Sequence, residues 1–154
     1  MISVEELKFF PFFSNLNPAL LGEVAKISRE VSLESREYLF EEDQPAEYLY
    51  LVKTGSLSLN MKVPASDGKE YVKELDPMQK GELVGWSSII GKGYYYFSVV
   101  ANTPVTLLQV ESKGLKRIMQ NNPETGYDLI YKIADVIRER LEMKCMQLLS
   151  LAAA

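Results

Sequence analysis

The spacing of apolar and polar positions changes twice along the chain. Leu20, Leu21, Val24 and Ile27 recur on one helical face, and Asn17-Pro18 just before them supplies an N-cap and a first-turn proline. Ahead of that helix, SVEELKFF (Ser3 to Phe10) reads as a shorter one ended by Pro11. Phe9, Phe10, Phe12 and Phe13 make an aromatic cluster expected to be core rather than a partner patch. From Arg29 to Val110 the period shortens to that of strands. Leu57, Leu59, Met61 and Val63 alternate with Ser56, Ser58, Asn60 and Lys62, the pattern of a half-buried strand. Val31 and Leu33, Tyr38 and Phe40, and Tyr48 to Val52 are apolar runs cut by Glu-Glu-Asp-Gln-Pro and Lys-Thr-Gly. Pro64 to Gly68 (PASDG) is a hairpin turn from which Tyr71 to Leu75 returns.

After Val110 the helical period comes back. Ser112 caps a short helix, and Asn122-Pro123 repeats the device of Asn17-Pro18 to start a last helix reaching about Leu151. That helix would be roughly 40 Å long, more than a domain of this size can cover. Leu129, Ile133, Val136, Ile137, Leu141, Cys145, Leu148 and Leu149 form its apolar stripe. The steps are not a clean heptad, which argues against a long coiled coil but leaves a two-helix homodimer seam through Ile133, Ile137, Leu141 and Leu148. The expected architecture is α+β in one domain, 1–154. N-terminal helices (1–28) precede a jelly-roll-like antiparallel β-roll of about eight strands (29–111), and C-terminal helices (112–151) follow.

Composition narrows what such a domain can do. Its 154 residues can bury a core without disulfides or metals. A net charge of −4 with no basic run argues against a nucleic-acid surface. Cys145 is alone, which rules out a disulfide framework and suits a reducing compartment; on the apolar side of its helix it is expected to be an inert buried thiol. Neither a signal-peptide pattern nor a membrane-spanning stretch is present, so a cytoplasmic protein without a membrane partner is expected. The absence of histidine removes Ser-His and Cys-His pairs and histidine metal ligands. Ser87 and Ser88 follow Gly85-Trp86 but lie outside any Gly-x-Ser-x-Gly elbow. Glu41, Glu42 and Asp43 read as a solvated turn rather than a cation site. The expectation is a non-enzymatic protein with no metal and no cofactor.

Candidate chemistry concentrates in Gly81 to Ala101, GELVGWSSIIGKGYYYFSVVA. A short helix starting at Trp86 or Ser87, just after Gly85, would direct amide N–H groups at one point, an arrangement suited to a phosphate. Gly91 and Gly93 then allow a sharp turn into an aromatic strand, Tyr94 to Val100. The same spacing also occurs wherever strands are joined tightly.

This stretch resembles the phosphate-binding cassette of the cyclic-nucleotide-binding domain, the β-roll module of catabolite-activator-type regulators and protein-kinase regulatory subunits. The resemblance extends upstream through FFSNLNPALLGEVA and REYLFEEDQPAEYLYLVKTGSLSL, with Pro45, Tyr50 and Gly55 in register, and downstream through VTLLQVESKGLKRIMQNNPETG. It implies a ligand-binding regulatory module that pairs through its last helix and uses that helix as one wall of the ligand pocket. The transcription-factor branch adds a DNA-binding domain; here the chain stops at Leu151-Ala-Ala-Ala, so no DNA binding is expected of it alone.

The family pattern reads Gly-Glu-hydrophobic-x-Gly-Glu, then an Arg followed by Ser, Thr or Ala; the second Glu holds the ribose and the Arg holds the cyclic phosphate. Gly81, Glu82, Leu83, Val84 and Gly85 match. Trp86 stands at the ribose glutamate, and Tyr95 or a neighbour in YYYF stands at the arginine; no arginine occurs between Arg36 and Arg117. A tyrosine cannot reproduce the bidentate, charge-assisted pairing of a guanidinium, and losing such a partner costs about 1.5–3 kcal/mol. Lys92 could supply only a point charge. The site expected from the resemblance comprises Gly81, Glu82, Leu83, Gly85, Trp86, Ser87, Ser88, Tyr95 and Tyr96. The expected function is to take a small ligand, cyclic nucleotide or other, in an altered mode and signal through the last helix to a separate effector, because Gly81 to Gly85 keeps the phosphate-turn pattern; the alternative is a pocket plugged by its aromatic residues, with the fold kept for dimerisation and docking. An open cavity beside Gly85 would favour the first, and rings packed into it the second.

Overall fold

Two side-chain caps set the N-terminal helices. Ser3 accepts from the Glu6 amide at 3.1 Å and starts α1 (Val4–Lys8); Asn17 accepts from the Leu20 amide at 2.9 Å and starts α2 (Pro18–Lys26). Here and below, the computed structural model describes residues 2–78 and 80–153. The first helix stops earlier than its sequence suggests. Phe10, forced toward an extended backbone by the proline after it, leads into a 3₁₀ turn at Pro11–Phe13. Phe10, Phe12 and Phe13 are core, as expected, whereas Phe9 points out and is 86% exposed.

Eight antiparallel strands follow: β1 (Ser28–Leu33), β2 (Tyr38–Phe40), β3 (Tyr48–Thr54), β4 (Leu57–Pro64), β5 (Glu70–Met78), β6 (Leu83–Val84), β7 (Ser98–Ala101) and β8 (Val105–Glu111). They form two four-stranded sheets, ordered β1-β8-β3-β6 and β2-β7-β4-β5. The run Tyr48 to Val52 is continuously apolar because both its faces are covered. Leu49 and Leu51 join a core shared with the helices, while Tyr50 and Val52 join a second core with Phe40, Leu57, Leu59, Val84, Tyr95 and Val99. At the bend into β4, Gly55 has a positive φ, and a Cβ there would lie 2.3 Å from the Pro104 carbonyl oxygen.

The expected aromatic strand is shorter than its sequence implies. Only Ser98–Ala101 joins the β2 and β4 ladders. Tyr94 and Tyr95 are instead held by the β2–β3 loop: the Tyr95 amide donates to the Gln44 carbonyl, the Asp43 amide donates to the Tyr95 carbonyl, and Tyr94 bridges Pro45. Glu41 to Asp43 belong to this loop, and among the described residues no acidic, cysteine or histidine group is arranged to hold a metal ion.

Two helices close the chain, α3 (Ser112–Asn121) and α4 (Pro123–Ala153). Leu129 and Ile133 of α4 are fully buried in the helix-side core, with Val136 and Ile137 packed against it. Ile133 is therefore part of the domain's own core and is withdrawn from the expected dimer seam. Leu141 and Leu148 are 63% and 66% exposed. Cys145, expected to be a buried thiol, is exposed, because the helix at this level has left the domain behind. No helix among the described residues is long and apolar enough to cross a membrane.

Candidate functional site

The nine cassette residues do not line one site. They divide among three concavities, and the division follows from the turn at Gly85. Gly81 and Gly85 both adopt positive φ, 87° and 81°, so β6 between them is a two-residue strand paired with Tyr50 and Leu51 of β3. Gly81, Glu82 and Leu83 line a cleft of about 600 Å³ against α4. Gly85, Trp86, Ser87, Tyr95 and Tyr96 line a cavity of about 210 Å³ inside the β-roll, with Phe40, Leu59, Met78, Val84 and Phe97. Ser88, at the end of the 3₁₀ turn Trp86–Ser88, lines a third cleft against α3.

The inner cavity is small because Tyr95 fills it. The residue is 3% exposed, and its ring stacks on Phe40 with centroids 3.6 Å apart and planes within 12°. The Phe40 ring in turn stacks on Tyr50 at 6.0 Å. The Tyr95 hydroxyl donates to the Tyr48 carbonyl at 2.6 Å and accepts from the Tyr48 amide at 3.2 Å, so both its hydrogen-bonding functions are satisfied by β3 backbone. Burial pushes the Tyr95 hydroxyl up to about 12, although the bond it accepts from the Tyr48 backbone amide works the other way. Tyr95 is thus a neutral phenol at any physiological pH. A Cβ on Gly85 would lie 3.2 Å from the Tyr95 ring and 3.4 Å from that of Phe40, so the two rings close directly over the phosphate turn.

The remaining space, about 210 Å³, falls below the roughly 300–1,000 Å³ usual for small-molecule sites. Its walls are mainly apolar and aromatic, and among the described residues no cationic side chain lines it. Lys92 is exposed and is not one of its lining residues. The residues present do not fit a cyclic nucleotide in the arginine-bound manner. Among the described residues the cavity offers a phosphate no charged partner, and Tyr95, one of the aromatic residues at the expected arginine register, is spent on backbone bonds.

Trp86 connects this cavity to the helices. Its ring borders the cavity and also packs against the helix-side core. Arg140 of α4 lies over that ring, its guanidinium carbon 5.4 Å from the centroid, and pairs with Glu82 at 3.1 Å. The C-terminal helix therefore supplies an arginine to the cassette, where it is spent on a cassette carboxylate. Phe40, Tyr48 and Arg140 were not legible as site residues. Phe40 looks like any inward strand position, Tyr48 acts through its backbone, and Arg140 sits 58 residues beyond its partner Glu82 in sequence.

Comparison with known proteins agrees with this geometry. Residues 30–122 match the cyclic nucleotide-binding domain family. No curated protein sequence matches the chain. The fold is similar to a crystal structure reported as a cyclic nucleotide-binding protein from Geobacter metallireducens GS-15, with a TM-score of 0.77, 28% identity, and coverage of 92% of this chain and 99% of that one. It is also similar to the N-terminal domain of a transcriptional regulator from Streptomyces coelicolor A3(2), with a TM-score of 0.65, 27% identity, and coverage of 92% and 95%. The regulatory domain of Toxoplasma gondii PKA, crystallised with cAMP, shares the fold at a TM-score of 0.69 and 20% identity, over 86% of this chain and 48% of that one.

Proposed function

The chain belongs to the cyclic nucleotide-binding domain family, and from that premise we propose that it is a non-catalytic regulatory module whose β-roll pocket is occupied by its own side chains. One observation carries this reading: Tyr95, in the YYYF run expected to stand where the family has its phosphate arginine, is buried, stacked on Phe40 and bonded twice to Tyr48. A cyclic nucleotide would have to displace that ring and would find no guanidinium beneath it. The fold then serves to hold α4 and present it to a partner.

The proposed partner is a second copy. With Leu129 and Ile133 withdrawn into the core, outward residues fall on two interleaved seven-residue series, Tyr127, Ala134, Leu141 and Leu148 in one and Ile130, half-buried Ile137, Lys144 and Leu151 in the other, with Lys144 the one charge. A paired helix would cover a stripe that a monomer leaves in water. In this reading the protein is cytoplasmic, and a separate effector protein receives its signal.

A second reading is favoured by the 210 Å³ that stays open beside Trp86, Tyr96 and Phe97: a small flat apolar ligand would fit where a nucleotide does not. Thermal-shift titrations separate the two, since a ligand binding only the folded state must raise the melting temperature. No shift with cAMP, cGMP, cyclic dinucleotides, linear nucleotides or indole is the outcome expected of the filled pocket. A saturable shift with indole alone would establish the second reading, and one with a cyclic nucleotide would defeat both.

A further inference from the structure

The third concavity has the makings of a site of its own. It is a cleft of about 600 Å³ between α3 and the start of β3, lined by Tyr48, Ser88, Ser112, Lys113, Lys116 and Arg117 among others. Lys113, Lys116 and Arg117 stand at i, i+3 and i+4 on α3 and so share one helix face. None of the three forms an ion pair among the described residues. Two carboxylates, Glu47 and Glu111, also line the cleft, leaving a local excess of one positive charge in a chain whose net charge is −4.

Two independent features suit this cleft to an anion. Ser88 and Ser112 are each 2% exposed, and the Oγ of each is buried without a hydrogen-bond partner. A buried hydroxyl left unpaired is costly, and two lining one cleft mark a place where an acceptor belongs. In addition, the first turn of α3 carries Lys113 and no acid, and Glu111 at the N-cap makes no side-chain cap. Lys113 there works against the helix dipole, and an anion at this end would offset it.

We propose that this cleft binds the phosphoryl group of a small phosphomonoester, held by the Ser88 and Ser112 hydroxyls and the Lys113, Lys116 and Arg117 side chains. The cleft is of ligand size and much larger than a bare phosphate needs, so an ester with an organic portion fits it. The placement also gives such a ligand something to regulate. Ser88 ends the 3₁₀ turn that begins after Gly85, and the Tyr48 backbone holds the Tyr95 hydroxyl, so occupancy would tie α3 to the cassette and its aromatic filling. The inference stands whether or not the β-roll cavity takes a ligand.

The test is an amide NMR titration of the ¹⁵N-labelled full chain with inorganic phosphate and, separately, with adenosine 5′-monophosphate, at ionic strength held constant with chloride. Saturable shifts centred on Ser88, Ser112 and Lys113 are expected from at least one probe, tighter binding of the nucleotide marking an ester site and tighter binding of phosphate a free-anion site. The Lys113→Gln/Lys116→Gln variant should bind at least about tenfold more weakly, as loss of charge-assisted bonds requires. Ser112→Ala, which removes an unpaired hydroxyl and so should not unfold the protein, should also weaken binding. Shifts that do not saturate, that chloride reproduces, that centre on Gly85 and Tyr96, or that persist with unchanged affinity in these variants would overturn the proposal.

Discussion

Arg140 of α4 lies over the ring of Trp86, 5.4 Å from guanidinium carbon to ring centroid, while its Nη2 is 3.1 Å from a Glu82 carboxylate oxygen. One side chain therefore ties the C-terminal helix to both halves of the cassette, the strand-leading Glu82 and the 3₁₀ turn. Arg140 is 16% exposed and Glu82 46%, so the ion pair is partly screened and is worth no more than about 1 kcal/mol, with a similar amount from the stacked cation. Arg140→Ala should lower unfolding free energy by about 1–2 kcal/mol and shift the emission of Trp86, the chain's single tryptophan. Denaturant unfolding followed by Trp86 fluorescence measures both, and a variant with unchanged emission and stability would mean the contact does not hold the helix.

Tyr95 tests the filled pocket from inside. Tyr95→Phe keeps the stack on Phe40 and removes only the bonds to Tyr48, at an expected cost of about 1–3 kcal/mol. Tyr95→Ala removes the ring as well and should cost about 3–5 kcal/mol, the range for deleting a buried aromatic side chain. Equal costs for the two variants would show that the ring contributes nothing to the core.

Alkaline pH should unfold the domain through two tyrosines. Burial raises the Tyr95 hydroxyl to about 12, and burial, then the neighbouring Tyr95 and Tyr48, raise Tyr50 further. In the unfolded chain both titrate near 10, so the unfolded state binds fewer protons above that pH and stability falls as pH climbs from about 10 to 12. Phenolate absorbance should show a late step coincident with loss of the folded signal, diminished by one tyrosine in Tyr95→Phe. Complete ionisation with the fold intact would contradict the burial of these rings.

Leu141 and Leu148 test the proposed homodimer without touching the domain core, since both are exposed. The Leu141→Glu/Leu148→Glu variant should keep its circular dichroism and sediment as a monomer at concentrations where the native chain sediments as a dimer. A native chain that is monomeric at high concentration would remove the partner from the account.

Much of this architecture can be read from residue order, because it rests on local signals. The Ser3 and Asn17 caps, the alternation of Leu57 to Val63 and the positive-φ glycines each act within a few residues. The site is different, since its decisive contacts join distant positions. The run Tyr94 to Phe97 has the composition of a strand, yet Gln44 and Asp43 take its backbone bonds. Ile133 and Leu141 look alike on the stripe of α4, and only the packing of the domain sends one inward. The aromatic substitution at the arginine register was visible from the start; that Tyr95 would turn inward and bond to Tyr48 was not.

Trp86 offers the most direct test of the central claim, because the only tryptophan in the chain borders the cavity that a cyclic nucleotide would have to enter. Its fluorescence, excited beyond nucleotide absorbance, should be titrated with cAMP and with cGMP. A filled pocket predicts no saturable change with either nucleotide up to millimolar concentration. A saturable change with a micromolar midpoint would show that Tyr95 yields its place and that the cassette still binds the family's ligand.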